Sequence, residues 1–179
     1  MKNYTKFVLM LFCSALSMYI TMYFNTYELS HIFFSWTRMY MTFIGIGGMA
    51  LVMFFFMRGM YTNKAKNIGI IGGSLLLMGV STTLVRTQTP IEDVRWMKAM
   101  IPHHSIAILT STRAEIKDPE VRQLADEIIK AQRREIMEMQ WLINDIRENG
   151  IVETEEEKKN RPLPEFEGLL EEETRNLNE

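Results

Sequence analysis

The sequence predicts an all-α protein in two unlike parts, three transmembrane helices followed by an antiparallel helical hairpin. Three observations carry this. Residues 7–27, 39–57 and 68–85 are apolar runs without a charged side chain, each about as long as a bilayer crossing requires. Charge divides the chain in the same way: residues 1–85 hold Lys2, Lys6, Arg38, Arg58, Lys64 and Lys66 against Glu28 alone, yet the whole chain is net -2, so the remainder is strongly acidic. Beyond residue 88, two stretches open on helix-start motifs and carry apolar residues at three- and four-residue steps.

The first span reads as a signal anchor. Its apolar run is too long for a cleavable signal peptide, and no small-x-small cleavage site follows it. Phe12 before Cys13 is too bulky for lipoprotein processing, and a single cysteine offers no intrachain disulfide. The second span is bracketed by Arg38 and Arg58, with Trp36, Tyr40 and Tyr61 near its ends where aromatic belts lie. The third follows Lys64 and Lys66 and precedes Arg86. Its Gly69 and Gly73, like Gly45 and Gly48 in the second span, are expected to let helix backbones approach closely.

Basic residues set the orientation. Lys2 and Lys6 precede the first span, and Arg58, Lys64 and Lys66 fill the loop between the second and third, so both segments are expected in the cytoplasm. Three crossings then put the N-terminus inside and everything after Val85 outside, with the Asn25–Arg38 loop and its His31 on that same outer side. The predicted division is a membrane domain over 1–87, an extracytoplasmic hairpin over 88–150, and an acidic linker with a short C-terminal helix over 151–179.

Thr89-Pro90-Ile91-Glu92 reads as a capping box with proline at the first helical position, opening a helix to about Glu115. Asp118-Pro119-Glu120 repeats the logic and opens a long helix ending at Asn149-Gly150. Residues 151–164, with the Glu155–Glu157 run, Pro162 and Pro164, read as a linker, and 165–178 as a short helix with Phe166, Leu169, Leu170 and Leu177 on one side, or a solvated acidic tail. Ten acids against four bases over 151–179, and no recognition motif, argue against a nucleic-acid partner.

The chemistry concentrates in Met97 to His104, M-K-A-M-I-P-H-H. Val94, Met97, Ile101, His104 and Ile108 form a core-facing stripe, while His103 flanks it with Trp96, Met100 and Ala107. Pro102 removes one helical donor and is expected to kink the helix just before the histidines. On the second helix the apolar face runs Val121, Ala125, Ile128, then Met139, Leu142 and Ile146, with Gln132 and Glu135 between. A glutamate there asks for a cation, a histidine or a metal opposite it. The candidate metal constellation is Met100, His103, His104, Glu135 and Met139, with Met97 and Met137 in reserve. Imidazole and thioether are soft ligands suited to copper. The same residues also read as a polar contact in a helical core with methionine as filler.

These residues carry a resemblance. Met100-Ile101-Pro102-His103-His104-Ser105-Ile106-Ala107 resembles the M-I-P-H-H-x-M-A signature of domain of unknown function family 305, a bacterial ferritin-like helical family. A second matching block runs through Pro119-Glu120-Val121-Arg122, Leu124-Ala125, Ile128-Ile129, Ala131-Gln132, Glu135-Ile136 and Met139. The resemblance implies a ferritin-like hairpin, anchoring in the bacterial cytoplasmic membrane, and an extracytoplasmic site for copper or another soft metal at His103, His104 and Glu135. Ile106 stands where the family often has methionine. Fuller members carry the hairpin twice, so homo-oligomerisation through residues 90–148 is expected to complete a four-helix bundle.

Two functions stay open: copper handling or tolerance, and a structural or interaction membrane protein whose His/Glu cluster specifies bundle assembly without metal. A di-iron oxidase is disfavoured, since such sites pair Glu-x-x-His motifs on facing helices. In the second span, Met49, Met53, Met57 and Met60 step along one face, with Met39 and Met41 at its outer end and Met18 and Met22 on the first span. Such a ladder suits passage of Cu(I), though packing of methionine in apolar helices is the plainer reading.

Overall fold

The computed structural model describes residues 3–170 and 173. Among them are six α-helices and no strand: α1 Asn3–Thr21, α2 Trp36–Phe56, α3 Lys64–Thr87, α4 Asp93–Arg113, α5 Pro119–Asn149 and α6 Glu155–Asn160. The chain forms two compact units, Met1–Phe24 with Ser35–Ile91, and Asn25–Phe34 with Glu92–Glu179. The loop between the first two long helices therefore clusters with the hairpin.

In the first unit α1, α2 and α3 are each long and apolar enough to cross a membrane. α2 is the middle helix, packed on both others. It begins where the Ser35 hydroxyl accepts the Arg38 N–H, and α3 begins where the Asn63 side chain accepts the Lys66 N–H. α1 ends at Thr21, short of the predicted Tyr27, because the chain turns there: the Tyr23 N–H bonds the Ile20 carbonyl. The Arg38 guanidinium then donates to the Met22 carbonyl and lies 4.4 Å over the Tyr23 ring. Phe7, Ala50, Phe54 and Tyr61 form the buried centre, with Phe54 stacked on Tyr61.

The close-approach glycine is Gly47. A Cβ there would run into Met78 and lie 3.0 Å from the Ser74 carbonyl oxygen of α3. Gly45 faces Met18, whereas Gly48, Gly69 and Gly73 have open space where a Cβ would be. The expected Gly69/Gly73 contact is thus absent among the described residues, because α3 turns Ser74 and Ser81 inward instead.

The second unit is the hairpin. α5 starts as its sequence predicts, with the Asp118 carboxylate accepting the Glu120 and Val121 N–H groups, and it ends at Gly150. α4 does not use the Thr89 box. α3 runs on to Thr87, Gln88 takes the left-handed conformation, and a turn closed by the Ile91 N–H on the Gln88 carbonyl occupies the predicted cap. The helix starts at Asp93 and continues without a break through the buried Pro102. Pairing of Ser111 with Arg122 and of His104 with Glu135 makes the two helices antiparallel.

Met97, Ile101 and Ile108 of α4 pack against Ile129, Ile136, Met139 and Ile143 of α5, with Tyr27, Phe33 and Leu170 at the margin. The buried stripe of α5 thus runs through Ile129 and Ile136, not Ile128 and Glu135, and Val121 is exposed. Isoleucines seven residues apart fill the core without burying a carboxylate, which would cost several kcal/mol.

The region read as a linker contains α6, closed by a reciprocal Thr154/Glu157 capping box. Residues 161–170 are neither helical nor a solvated tail; they form a strap along α5. Arg161 pairs with Asp145, Arg133 donates to the Leu169 carbonyl at 2.6 Å, and Lys130 meets Glu173 at 2.6 Å. Gly168 crosses so closely that a Cβ would collide with the Lys130 carbonyl oxygen. Apart from Glu173, the rest of the expected helix, Leu177 included, lies outside the described residues.

Candidate functional site

Helix periodicity places the candidate residues around α4, and tertiary contacts decide which of them meet. Ser105, four residues after Ile101, is the fully buried polar member of the core-facing side, and His104 lies beside it on the flank, about 100° away. The His104 side chain is 13% exposed. Its Nδ1 lies 3.2 Å from Oε2 of Glu135, itself 38% exposed. That nitrogen is shut off from solvent, and its approach to the carboxylate lacks the alignment of a hydrogen bond.

Burial pushes the His104 ring below the ordinary histidine value; Glu135 pulls the other way, and neighbouring His103 adds to the lowering. The ring is therefore neutral at pH 7, the form a metal ligand must take. His103 is exposed, its ring centroid 6.1 Å from that of His104 with the planes 59° apart. Met100 is half-buried one turn before His104. Met97 and Met139 are buried among isoleucines as core filler. Met137, two residues and so about 200° from Glu135, sits on the other flank and does not join the group.

Among the described residues no group of three or more His, Cys, Asp or Glu side chains is assembled for a metal ion. One chain thus offers two imidazoles, a thioether beside them and a carboxylate behind one ring. This donor set fits a soft ion of low coordination number and does not fit a closed tetrahedral or octahedral site.

A second polar cluster was missed. The Tyr27 N–H donates to the Ser105 hydroxyl at 2.7 Å, and that hydroxyl lies 2.9 Å from Nδ1 of His31. Nε2 of His31 is 3.8 Å from Glu28 Oε2. Burial lowers the His31 pKa against the raising pull of Glu28. Glu28-Leu29-Ser30-His31 is itself a Glu-x-x-His, but its two side chains face each other from a short turn, not a shared metal position. The order carboxylate, imidazole, hydroxyl looks like a nucleophile relay. Ser105 is fully buried, however, and its hydroxyl is already engaged with Tyr27 and His31, so it locks the loop onto α4. The available signal was a serine in the Met97–Ile101–Ser105–Ile108 stripe.

In the first unit, Met53 and Met57 pack at the edge of the Phe7–Phe54 cluster, Met60 is exposed, and the Met22 sulfur accepts the Thr42 hydroxyl at 3.7 Å.

The profile of the family described as Domain of unknown function (DUF305) matches residues 86–175, just over half of the chain. The chain belongs to this family. The family match takes in α4, α5, α6 and the strap, so the His103-His104 segment and Glu135 both lie within it. The chain is also similar to an uncharacterised protein of Acanthamoeba polyphaga mimivirus, with 33% identity over 108 residues, covering 59% of this chain and 69% of the viral one. No solved structure matches.

Proposed function

We propose that this membrane-helix-bearing member of the family holds a soft metal ion, copper(I) in first place, on its hairpin. The observation that carries the reading is the largely enclosed His104 ring, its Nδ1 shut off from solvent and backed by the Glu135 carboxylate at 3.2 Å. A carboxylate behind one ring nitrogen is the usual outer partner of a metal-bound histidine, fixing its orientation and raising its basicity. His104, His103 and the Met100 thioether are the proposed ligands, and Glu135 orients His104. Met97 and Met139 support the site from the core. The bound ion is cargo for handling or tolerance, and no reaction step is assigned to it.

The basic residues Lys2, Lys6, Arg58, Lys64 and Lys66 support a cytoplasmic N-terminus and an extracytoplasmic hairpin in a bacterial cytoplasmic membrane. The protein works there as a homo-oligomer, since a single hairpin offers few ligands. Metal analysis of the purified full-length protein tests the reading. Copper retained by the wild type and lost from His103→Ala/His104→Ala is expected; a protein that neither retains nor takes up Cu(I) overturns it. The second reading, assembly without metal, is favoured by the absence of a three-ligand group among the described residues, and predicts the same oligomer with or without chelator.

A further inference from the structure

The two flanks of the α4–α5 hairpin are treated very differently by the rest of the chain. On one flank, Ser105 holds the 25–34 loop through Tyr27 and His31, and Arg133 lies 5.8 Å over the Tyr27 ring. The strap closes the same flank through Leu169 and Glu173. Among the described residues of the hairpin unit, none covers the opposite flank in this way. It is marked by the His104–Glu135 contact. On α5, Val121, Leu124, Ile128 and Leu142 fall within about 40° of Glu135, and on α4, Trp96 falls within about 40° of Met100. Leu124 is 56% exposed, Trp96 50% and Val121 49%.

We propose that this flank docks a second copy of the same chain, and that the metal site of the preceding section, on which this inference rests, is completed across the twofold interface. The flank has the size for it. α4 contributes 21 residues, hence a face about 30 Å long and, over two helices, about 20 Å wide. Two such faces remove about 1,200 Å² from water, above the roughly 1,000 Å² a specific interface needs. It also has self-complementary chemistry: an exposed imidazole and a half-exposed carboxylate lie among apolar side chains, so a twofold copy sets histidine against glutamate. The other flank is already occupied by the chain's own loop and strap, so assembly through this surface stops at two. Pairing supplies four imidazoles, two thioethers and two carboxylates, where the described residues of one chain assemble no group of three His, Cys, Asp or Glu side chains.

The test uses full-length protein in detergent and in lipid vesicles. It reads chains per particle by light scattering and photobleaching, and copper per chain after Cu(I) loading. Leu124→Asp places a charge on the open flank, and Met137→Asp is its control on the covered side. Because Leu124 is exposed in the single chain, the variant should keep its helical circular dichroism; Trp96→Glu on α4 is the second disrupting variant. Expected are a dimeric wild type and Met137→Asp protein, and monomeric Leu124→Asp and Trp96→Glu proteins with at least tenfold weaker copper binding despite intact histidines. A monomeric wild type, or a Leu124→Asp dimer, overturns the docking surface. A monomeric variant that keeps full copper overturns the shared site and leaves the single-chain metal reading standing. A dimer that the variants disrupt but that never binds copper overturns the shared site by removing the metal reading, and leaves only the surface.

Discussion

At the scale of single residues, His104 and Ser105 divide the work that the sequence assigns to one of them. Ser105 faces the core and holds two partners, while His104 faces the flank and Glu135. Ser105→Ala should leave the Tyr27 N–H and the His31 ring without their partner, costing about 1–3 kcal/mol, read as a lowered unfolding midpoint and faster proteolysis in the 25–34 loop. Glu135→Gln removes the one influence that raises the His104 pKa. NMR titration should therefore find that ring titrating lower still, and under the proposed metal reading copper affinity should fall about 10–100-fold. Both His31 and His104 sit below their ordinary value in the fold. The unfolded chain then takes up protons first as pH drops, so their contribution to stability is whole above about pH 6.5 and is lost below it. Thermal unfolding at pH 7 and pH 5 should show the lower midpoint at pH 5, and replacing His31 with asparagine should shrink the difference. The neighbourhood of His104 and Glu135 was legible because both lie on helices with clear periods. The 100° distinction between His104 and Ser105 was not, because it is set by a loop 74 residues upstream.

At the scale of elements, local signals succeeded where nothing competed with them. Asp118-Pro119-Glu120 opens α5 because a short connection precedes it and the carboxylate finds two free N–H groups at once. Asp118→Ala should cost about 1 kcal/mol of hairpin stability, measured by denaturation. Thr89-Pro90 is as good a motif on paper, but α3 extends to Thr87 and claims the preceding residues for its own ending. The strap was illegible for another reason. Leu169 and Leu170 have helical spacing with Phe166, yet Leu170 reaches the core margin from a non-helical backbone that also feeds the Leu169 carbonyl to Arg133. Gly168 is the residue that permits this. Gly168→Ala should push the strap off the Lys130 carbonyl, seen as faster amide exchange over residues 161–170 with α4 and α5 unchanged.

At the scale of the whole molecule, the two halves of the sequence differ in what stabilises them. The first unit holds three helices whose apolar sides face outward, as a bilayer demands, and a tight glycine crossing at Gly47. The second packs its main apolar cluster inward between α4 and α5, and leaves Trp96, Val121 and Leu124 exposed on one flank and Leu29, Phe34 and Ile151 exposed elsewhere. Under the proposed orientation, charge reversal at Arg58, Lys64 and Lys66 should scramble the topology, read as a partial change in protease protection of the hairpin in sealed vesicles of one sidedness. The same scale shows what a linear reading hides. The hairpin unit is discontinuous: Asn25–Phe34 is made before α2 and α3, and α4 after them. His31 meets Ser105 across 74 residues of chain. At about 5–20 residues per second, that is a wait of about 4–15 s between synthesis of the loop and synthesis of its partner. During that interval Tyr27, Phe33 and the His31 ring have no core to enter. The loop that Ser105 holds is among the first parts of this fold to be made, and a fragment starting at α4 lacks it altogether.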